Sequence, residues 1–146
     1  SPRLMRFVSG NFAAQTICSP AMADRPAIGG VVLWKDRKNF LTLVKGKMGR
    51  NEITFHGCRR AEDVIVGRGR LVAEALHLRL ERENNLVRAL CSSDGATWYT
   101  LGHTEFSVHD PVEVGLYAVG RIQRFLYPGA FPEGSAIRFD EFRLYQ

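Results

Sequence analysis

The stretch Ala75-Leu76-His77-Leu78-Arg79-Leu80-Glu81-Arg82-Glu83 decides the fold. In an extended chain Leu76, Leu78 and Leu80 fall on one side and His77, Arg79, Glu81 and Glu83 on the other. A helix would scatter the three leucines around its circumference, so the stretch reads as a strand buried on one face. Asn84-Asn85 follows it. Asparagine tolerates positive φ, and the pair makes a two-residue hairpin turn into Leu86–Ser92 as the return strand. Asp94-Gly95 is a second hairpin turn, leading to a strand over 97–101.

The same pattern of short β-rich runs and turn residues extends both ways. Upstream, a strand is expected over 11–18, then a loop with two prolines. Residues 28–35, Ile-Gly-Gly-Val-Val-Leu-Trp-Lys, are apolar on both faces, which predicts a central strand covered on both sides. Asp36-Arg37-Lys38 turns it back into Asn39–Lys45. A strand over 52–56 follows a turn at 46–49. Residues 57–63 read as polar loop, 64–66 as a short strand, and Gly67-Arg68-Gly69-Arg70 as a flexible link. Downstream come strands over 112–119 and 136–145, separated by an irregular aromatic segment, 120–135. Phe139 and Phe142 lie three apart, which breaks alternation and predicts a bulge between them. The total is about ten strands, with no 3.6-residue apolar period and no internal repeat.

At 146 residues the chain is sized for a single domain. With 45% apolar and 24% charged residues it has the make-up of a globular protein. No run approaches the ~18 apolar residues of a membrane helix, so no membrane partner is expected. The net charge of +5 comes with 20 basic residues, of which only Lys35, Lys38, Lys45 and Lys47 are lysines. The arginines are spread along the strands and often sit near glutamates. Cys58-Arg59-Arg60 and Arg68-Gly69-Arg70 could contact phosphates, but no stacking platform is interleaved with them, and nucleic acid is not an expected partner. The three cysteines form no Cys-x-x-Cys pair. With the four histidines they give no metal-ligand spacing, so neither a metal nor a cofactor is expected. An odd cysteine count, and an N-terminus without an initiator Met or a signal-peptide core, point to a reducing, cytoplasmic compartment and to a segment cut from a longer, multidomain protein.

Five pieces, in order, carry a resemblance. Gly30-Val31-Val32-Leu33-Trp34-Lys35-Asp36 with Asn39-Phe40-Leu41 resembles the G-L-x-x-x-x-D-x-x-N-Y-x hairpin of concanavalin A-like jelly rolls. Leu78–Arg82, Ser92-Ser93-Asp94-Gly95-Ala96-Thr97-Trp98, Val114-Gly115-Leu116-Tyr117-Ala118 and Arg138-Phe139-Asp140-Glu141-Phe142-Arg143-Leu144 continue it. The pieces are similar to the laminin-G-like sandwiches appended to some bacterial glycosidases, such as certain β-xylosidases. The resemblance implies an all-β, two-sheet antiparallel jelly-roll β-sandwich that holds sugars in a concave groove or at the loop rim, or that docks a protein. Catalytic members carry an E-x-D-x-E triplet on a central strand. This chain has none, and Glu81 and Glu83 at a hairpin end make a poor retaining pair.

The expected ligand-binding residues are Trp34, His56, Arg79, Tyr117, Arg121 and Tyr127: aromatic faces for the apolar side of a sugar ring, and polar groups for its hydroxyls. The polar row His77, Arg79 and Glu81, which Thr54 and His56 could join on one sheet, is a floor for a ligand if its face is concave and a solvated face if it is convex. Asp36 is read as capping its own turn. Residues 92–98 resemble a sialidase Asp-box one residue short, in which Asp94 and Ser92 organise the turn and Trp98 packs across it. The chain is thus expected to be a non-catalytic, carbohydrate-binding module of a larger protein, not an enzyme. The alternative is a protein-interaction or sensory domain of an intracellular multidomain protein.

Overall fold

The computed structural model describes residues 3–21, 27–118 and 137–146. They form eleven strands: β1 (Arg3–Val8), β2 (Phe12–Pro20), β3 (Gly29–Asp36), β4 (Asn39–Lys45), β5 (Glu52–Arg59), β6 (Glu62–Arg70), β7 (Leu76–Glu83), β8 (Leu86–Ser92), β9 (Tyr99–Glu105), β10 (Val112–Ala118) and β11 (Ile137–Tyr145). No helix is present among the described residues. The strands pair into a six-stranded sheet, β1-β10-β3-β4-β5-β6, and a five-stranded sheet, β11-β2-β7-β8-β9. Every pairing is antiparallel. The molecule is a two-sheet β-sandwich.

Alternation places the core. Leu76, Leu78 and Leu80 of β7 pack with Val87, Ala89 and Cys91 of β8 against Val31, Leu33, Leu41, Leu43, Ile53 and Phe55 of the other sheet. Burying each such side chain contributes about 1.5–3 kcal/mol. All three cysteines are free and buried. Cys18 donates its Sγ–H to the Leu76 carbonyl at 3.5 Å, and burial pushes its thiol up to about 12. It behaves as a small core residue, as does Cys91.

Several expectations need correction. The first strand, β1, was not anticipated: Arg3–Val8 lacks clean alternation, yet it pairs with β10 at the sheet edge. Residues 57–63 are not a loop, because β5 runs to Arg59 and β6 starts at Glu62. The turn between them is only Arg60-Ala61, both at positive φ (52° and 66°). The span 67–70 is no flexible link but the end of β6. Its glycines are there because β9 crosses close by. A Cβ on Gly67 would lie 1.7 Å from the Leu101 carbonyl oxygen. The expected bulge in the last strand is present: register shifts between Asp140 and Phe142, and Glu141 takes φ 59°.

Candidate functional site

The outer face of the six-stranded sheet is organised by register into rows that run across the strands. One row is Glu113, Trp34, Phe40, Cys58, Asp63. The next is Gly115, Val32, Thr42, His56, Ile65. The third is Tyr117, Gly30, Val44, Thr54, Arg68. The middle row has small side chains at Gly115, Val32 and Thr42, flanked by large ones. This leaves a groove of about 520 Å³ lined by residues of β10, β3, β4, β5 and β6. That volume lies within the range of small-molecule sites. Five strands at ~4.8 Å spacing make it roughly 19 Å long, longer than one sugar ring.

One wall is the stacked pair Trp34 and Phe40, which face each other across β3 and β4 with ring centroids 5.2 Å apart and planes at 25°. Tyr117 stands across the groove from them. Farther along the row of Tyr117, Val44 and Thr54 are buried. The floor is polar at the β5 end. The Thr42 hydroxyl lies 3.1 Å from the His56 carbonyl oxygen and 3.0 Å from His56 Nε2. One hydroxyl proton cannot serve both. Donation to the carbonyl, which can only accept, leaves the hydroxyl oxygen to accept from Nε2–H. The ring is then held as the Nε2–H tautomer, with Nδ1 an acceptor.

Burial pulls the His56 imidazole down to about 4, the positive charge of Lys47 adds to this, and the Asp63 carboxylate partly opposes it. His56 is therefore neutral at pH 7. It has a stability consequence. The unfolded chain protonates His56 near its ordinary value of 6.5 and the folded chain only near 4. Between these values the unfolded state binds more protons. Stability is full above 6.5 and is lost progressively as pH falls toward 4. Denaturation midpoints at pH 5.0 and 7.5 should differ in the parent chain. They should converge in His56→Gln, which has no proton to take up.

Three of the expected residues, Trp34, His56 and Tyr117, thus meet in one groove. Arg79 does not join them in that groove. β7 lies in the other sheet, between β2 and β8, so the row His77, Arg79, Glu81 shares no face with His56. Arg79 is also engaged. It donates Nε to Glu81 Oε2 at 2.8 Å and Nη1 to Gln15 Oε1 at 2.5 Å, and lies over the Tyr145 ring at 5.4 Å. Glu81 also accepts from Arg88. Burial pushes the Glu81 carboxyl up, but the bonds from Arg88 and Arg79 outweigh it and hold it below its usual range. A general acid needs the opposite shift. Arg121 and Tyr127 lie outside the described residues.

Asp36 serves its own turn. Its Oδ1 accepts from the Lys38 N–H at 2.8 Å and the Asn39 side chain at 3.2 Å. The 92–98 segment is likewise a built turn. Ser92 Oγ accepts from the Asp94 and Gly95 N–H groups, and Asp94 Oδ1 from those of Ala96 and Thr97. Trp98 meets His77 edge-on at 6.2 Å. The sequence reading did not nominate Phe40, Thr42, Lys47 and Asp63 as site residues. The β3–β4 hairpin is legible, but Phe40 falls opposite Trp34 only through its register, which shifts between Trp34 and Asp36. Asp63 was hidden by reading its segment as loop, and no local pattern marks Lys47.

Solved structures share this architecture. A protein of unknown function from Saccharomyces cerevisiae matches with a TM-score of 0.71 and 18% identity, over 97% of this chain and 72% of that one. A GH43 protein from Bacillus licheniformis matches with a TM-score of 0.73 and 18% identity, over 94% of this chain. This chain spans only 28% of that protein. The carbohydrate-binding module CBM66 from Bacillus subtilis matches with a TM-score of 0.63 and 11% identity, over 94% of this chain and 76% of that module. No family model matches the sequence, and no curated protein matches it. At these identities the likeness establishes the fold: a two-sheet β-sandwich of the kind found in GH43 proteins and in a carbohydrate-binding module.

Proposed function

We propose that the chain is a non-catalytic carbohydrate-binding module of a larger protein, a sandwich of the concanavalin A-like, laminin-G-like kind, with its ligand laid in the groove across β10, β3, β4, β5 and β6. The observation that carries this reading is the pairing of an aromatic wall, Trp34 and Phe40, with a polar floor, Thr42, His56, Lys47 and Asp63, in one groove. Ring faces cover the apolar side of a sugar. The floor offers acceptors at His56 Nδ1 and Asp63 and a donor at Lys47 for its hydroxyls. The neighbours support it, since one is a carbohydrate-binding module and another a xylan β-1,4-xylosidase from Bacillus halodurans. Absence of catalysis is supported by the carboxylates. Among the described residues lining the groove only Asp63 is acidic, and glycoside hydrolysis generally takes two.

Calorimetry against linear xylo-, gluco- and fructo-oligosaccharides tests the reading. Binding should strengthen with chain length, and Trp34→Ala should weaken it at least tenfold, about 1.4 kcal/mol. A correctly folded chain that binds no sugar at millimolar concentration sinks the proposal. A protein-docking role is the second reading. It is favoured by Leu4 and Phe7, 58% and 72% exposed on the edge strand β1. It predicts sugar silence together with a mass above the monomer in light scattering.

A further inference from the structure

The edge of a sheet is a row of unpaired N–H and C=O groups, and proteins guard it with bulges or a covering element. Three of the four edges of this sandwich are guarded. β6 and β9 each carry a bulge and lie against one another. β11 is bulged at Glu141, which takes φ 59°, and carries the ion pairs Arg138–Asp140 and Arg143–Glu141 along its length. β1 has neither bulge nor cover among the described residues. Its register with β10 is unbroken from Arg3 to Val8, no described strand pairs with its other side, and it exposes Leu4 and Phe7. Its Arg6 leans over the Phe142 ring of β11, 5.9 Å from the centroid.

The open side of β1 is also complementary to itself. A Cβ on Gly115 would lie 1.8 Å from the Leu4 carbonyl oxygen, so Leu4 turns its backbone polar groups toward β10. Pair types alternate along an antiparallel ladder, so Arg3, Met5 and Phe7 turn their N–H and C=O groups to the open side. A second β1, related by a two-fold axis through Met5 and normal to the sheet, meets them as three hydrogen-bonded pairs: Arg3 with Phe7, Met5 with Met5 and Phe7 with Arg3. The two sheets then keep a common outer face. Leu4 falls opposite Arg6 of the second copy, whose methylene stem covers it. Sliding the register by one pair in one direction sets Arg6 against Arg6, a like-charge pair. Sliding it in the other carries Phe7 past the first residue of the facing strand.

We infer that β1 pairs with β1 of a second copy of this chain, joining two six-stranded sheets into one that carries both grooves on the same face. The pairing does not rest on the groove being a sugar site. Light scattering should give twice the monomer mass for the parent chain at submillimolar concentration. Met5→Pro removes an outward donor and no bond to β10, and should return the monomer mass. Leu4→Lys sets two like-charge pairs against Arg6 and should weaken the dimer roughly fivefold, whereas Leu4→Glu should not weaken it. Met5→Cys should cross-link two copies in air, with its Cα atoms ~5.5 Å apart across the axis, and Arg6→Cys should not. The native cysteines are buried and do not compete. A parent chain that stays monomeric up to millimolar concentration overturns the inference. So does a dimer unchanged by Met5→Pro and Leu4→Lys, or an Arg6→Cys that cross-links as readily as Met5→Cys. A dimer that behaves as expected but binds no sugar upholds the pairing and sinks the groove reading alone.

Discussion

Gly67→Ala should cost about 3 kcal/mol, the upper end of what overpacking a tight interior typically costs. The reason lies where the two sheets close on each other at one side. Two bulges face one another there. Register passes from Phe55↔Gly67 to His56↔Ile65, which leaves Val66 of β6 extra, and from Ala89↔Gly102 to Leu90↔Thr100, which leaves Leu101 of β9 extra. Bulges bend a strand and end regular edge pairing. Here they bring Val66 and Leu101 against the core and set the β6 edge beside β9. A Cβ on Gly67 would sit 1.7 Å from the Leu101 carbonyl oxygen, backbone that has no rotamer to escape into. One on Gly69 would meet the Leu101 side-chain methyl at 2.4 Å, and a side chain can turn away. Gly69→Ala should therefore cost no more than about 1 kcal/mol. Urea midpoints for the two variants check the ordering. Equal midpoints would mean that the β6–β9 contact is not a fixed one.

These bulges also explain what the sequence could and could not reveal. Alternation made β7 and β8 legible, because the inner and outer residues differ sharply in polarity: Leu76, Leu78 and Leu80 against His77, Arg79 and Glu81. It failed on β6, where glycines stand in the places of inward side chains because Leu101 of β9 fills that space, with its backbone at Gly67 and its side chain at Gly69. A Gly-Arg-Gly-Arg run then looks like a linker. Sheet membership failed for the same kind of reason. Nothing local in 52–56 or 75–83 says that their polar faces belong to different sheets. That follows from β7 crossing to pair with β2, more than fifty residues earlier in the chain. Trp34, His56 and Tyr117 could be nominated as ring-bearing residues on strands, but only the register of three pairings brings them to one groove. Arg82 was the deepest omission. It continues the inward row of β7 after Leu80, and an arginine there reads as polar surface until its partner is known.

Asp110→Ala should be more damaging than Arg82→Met, although the two remove opposite halves of one ion pair. Arg82 is buried, its side chain 4% exposed, whereas that of Asp110 is 40% exposed. Arg82 donates Nη1 to Asp110 Oδ1 at 2.7 Å and Nη2 to the Val108 carbonyl at 3.3 Å, and its Nε has no partner. Asp110 Oδ2 accepts from the Gly10 N–H at 3.1 Å, so the pair ties the β1–β2 turn to the segment before β10. Taking away the carboxylate strands a guanidinium in the interior, and an uncompensated buried charge costs about 3–5 kcal/mol. Replacing Arg82 by Met keeps most of the packing and leaves behind a carboxylate that water and Gly10 already satisfy. The double variant should therefore be more stable than Asp110→Ala alone, because it removes the stranded charge. The bond from Arg82, with that from Gly10, holds the Asp110 carboxyl below its ordinary value of 3.8. The pair's contribution is thus complete above that value and is lost only as pH falls through the lowered one. Thermal unfolding at pH 7 ranks the three variants. Repeating it at pH 3 should narrow the gap between the parent chain and Arg82→Met. A gap that stays constant with pH would show that Arg82 acts by packing alone.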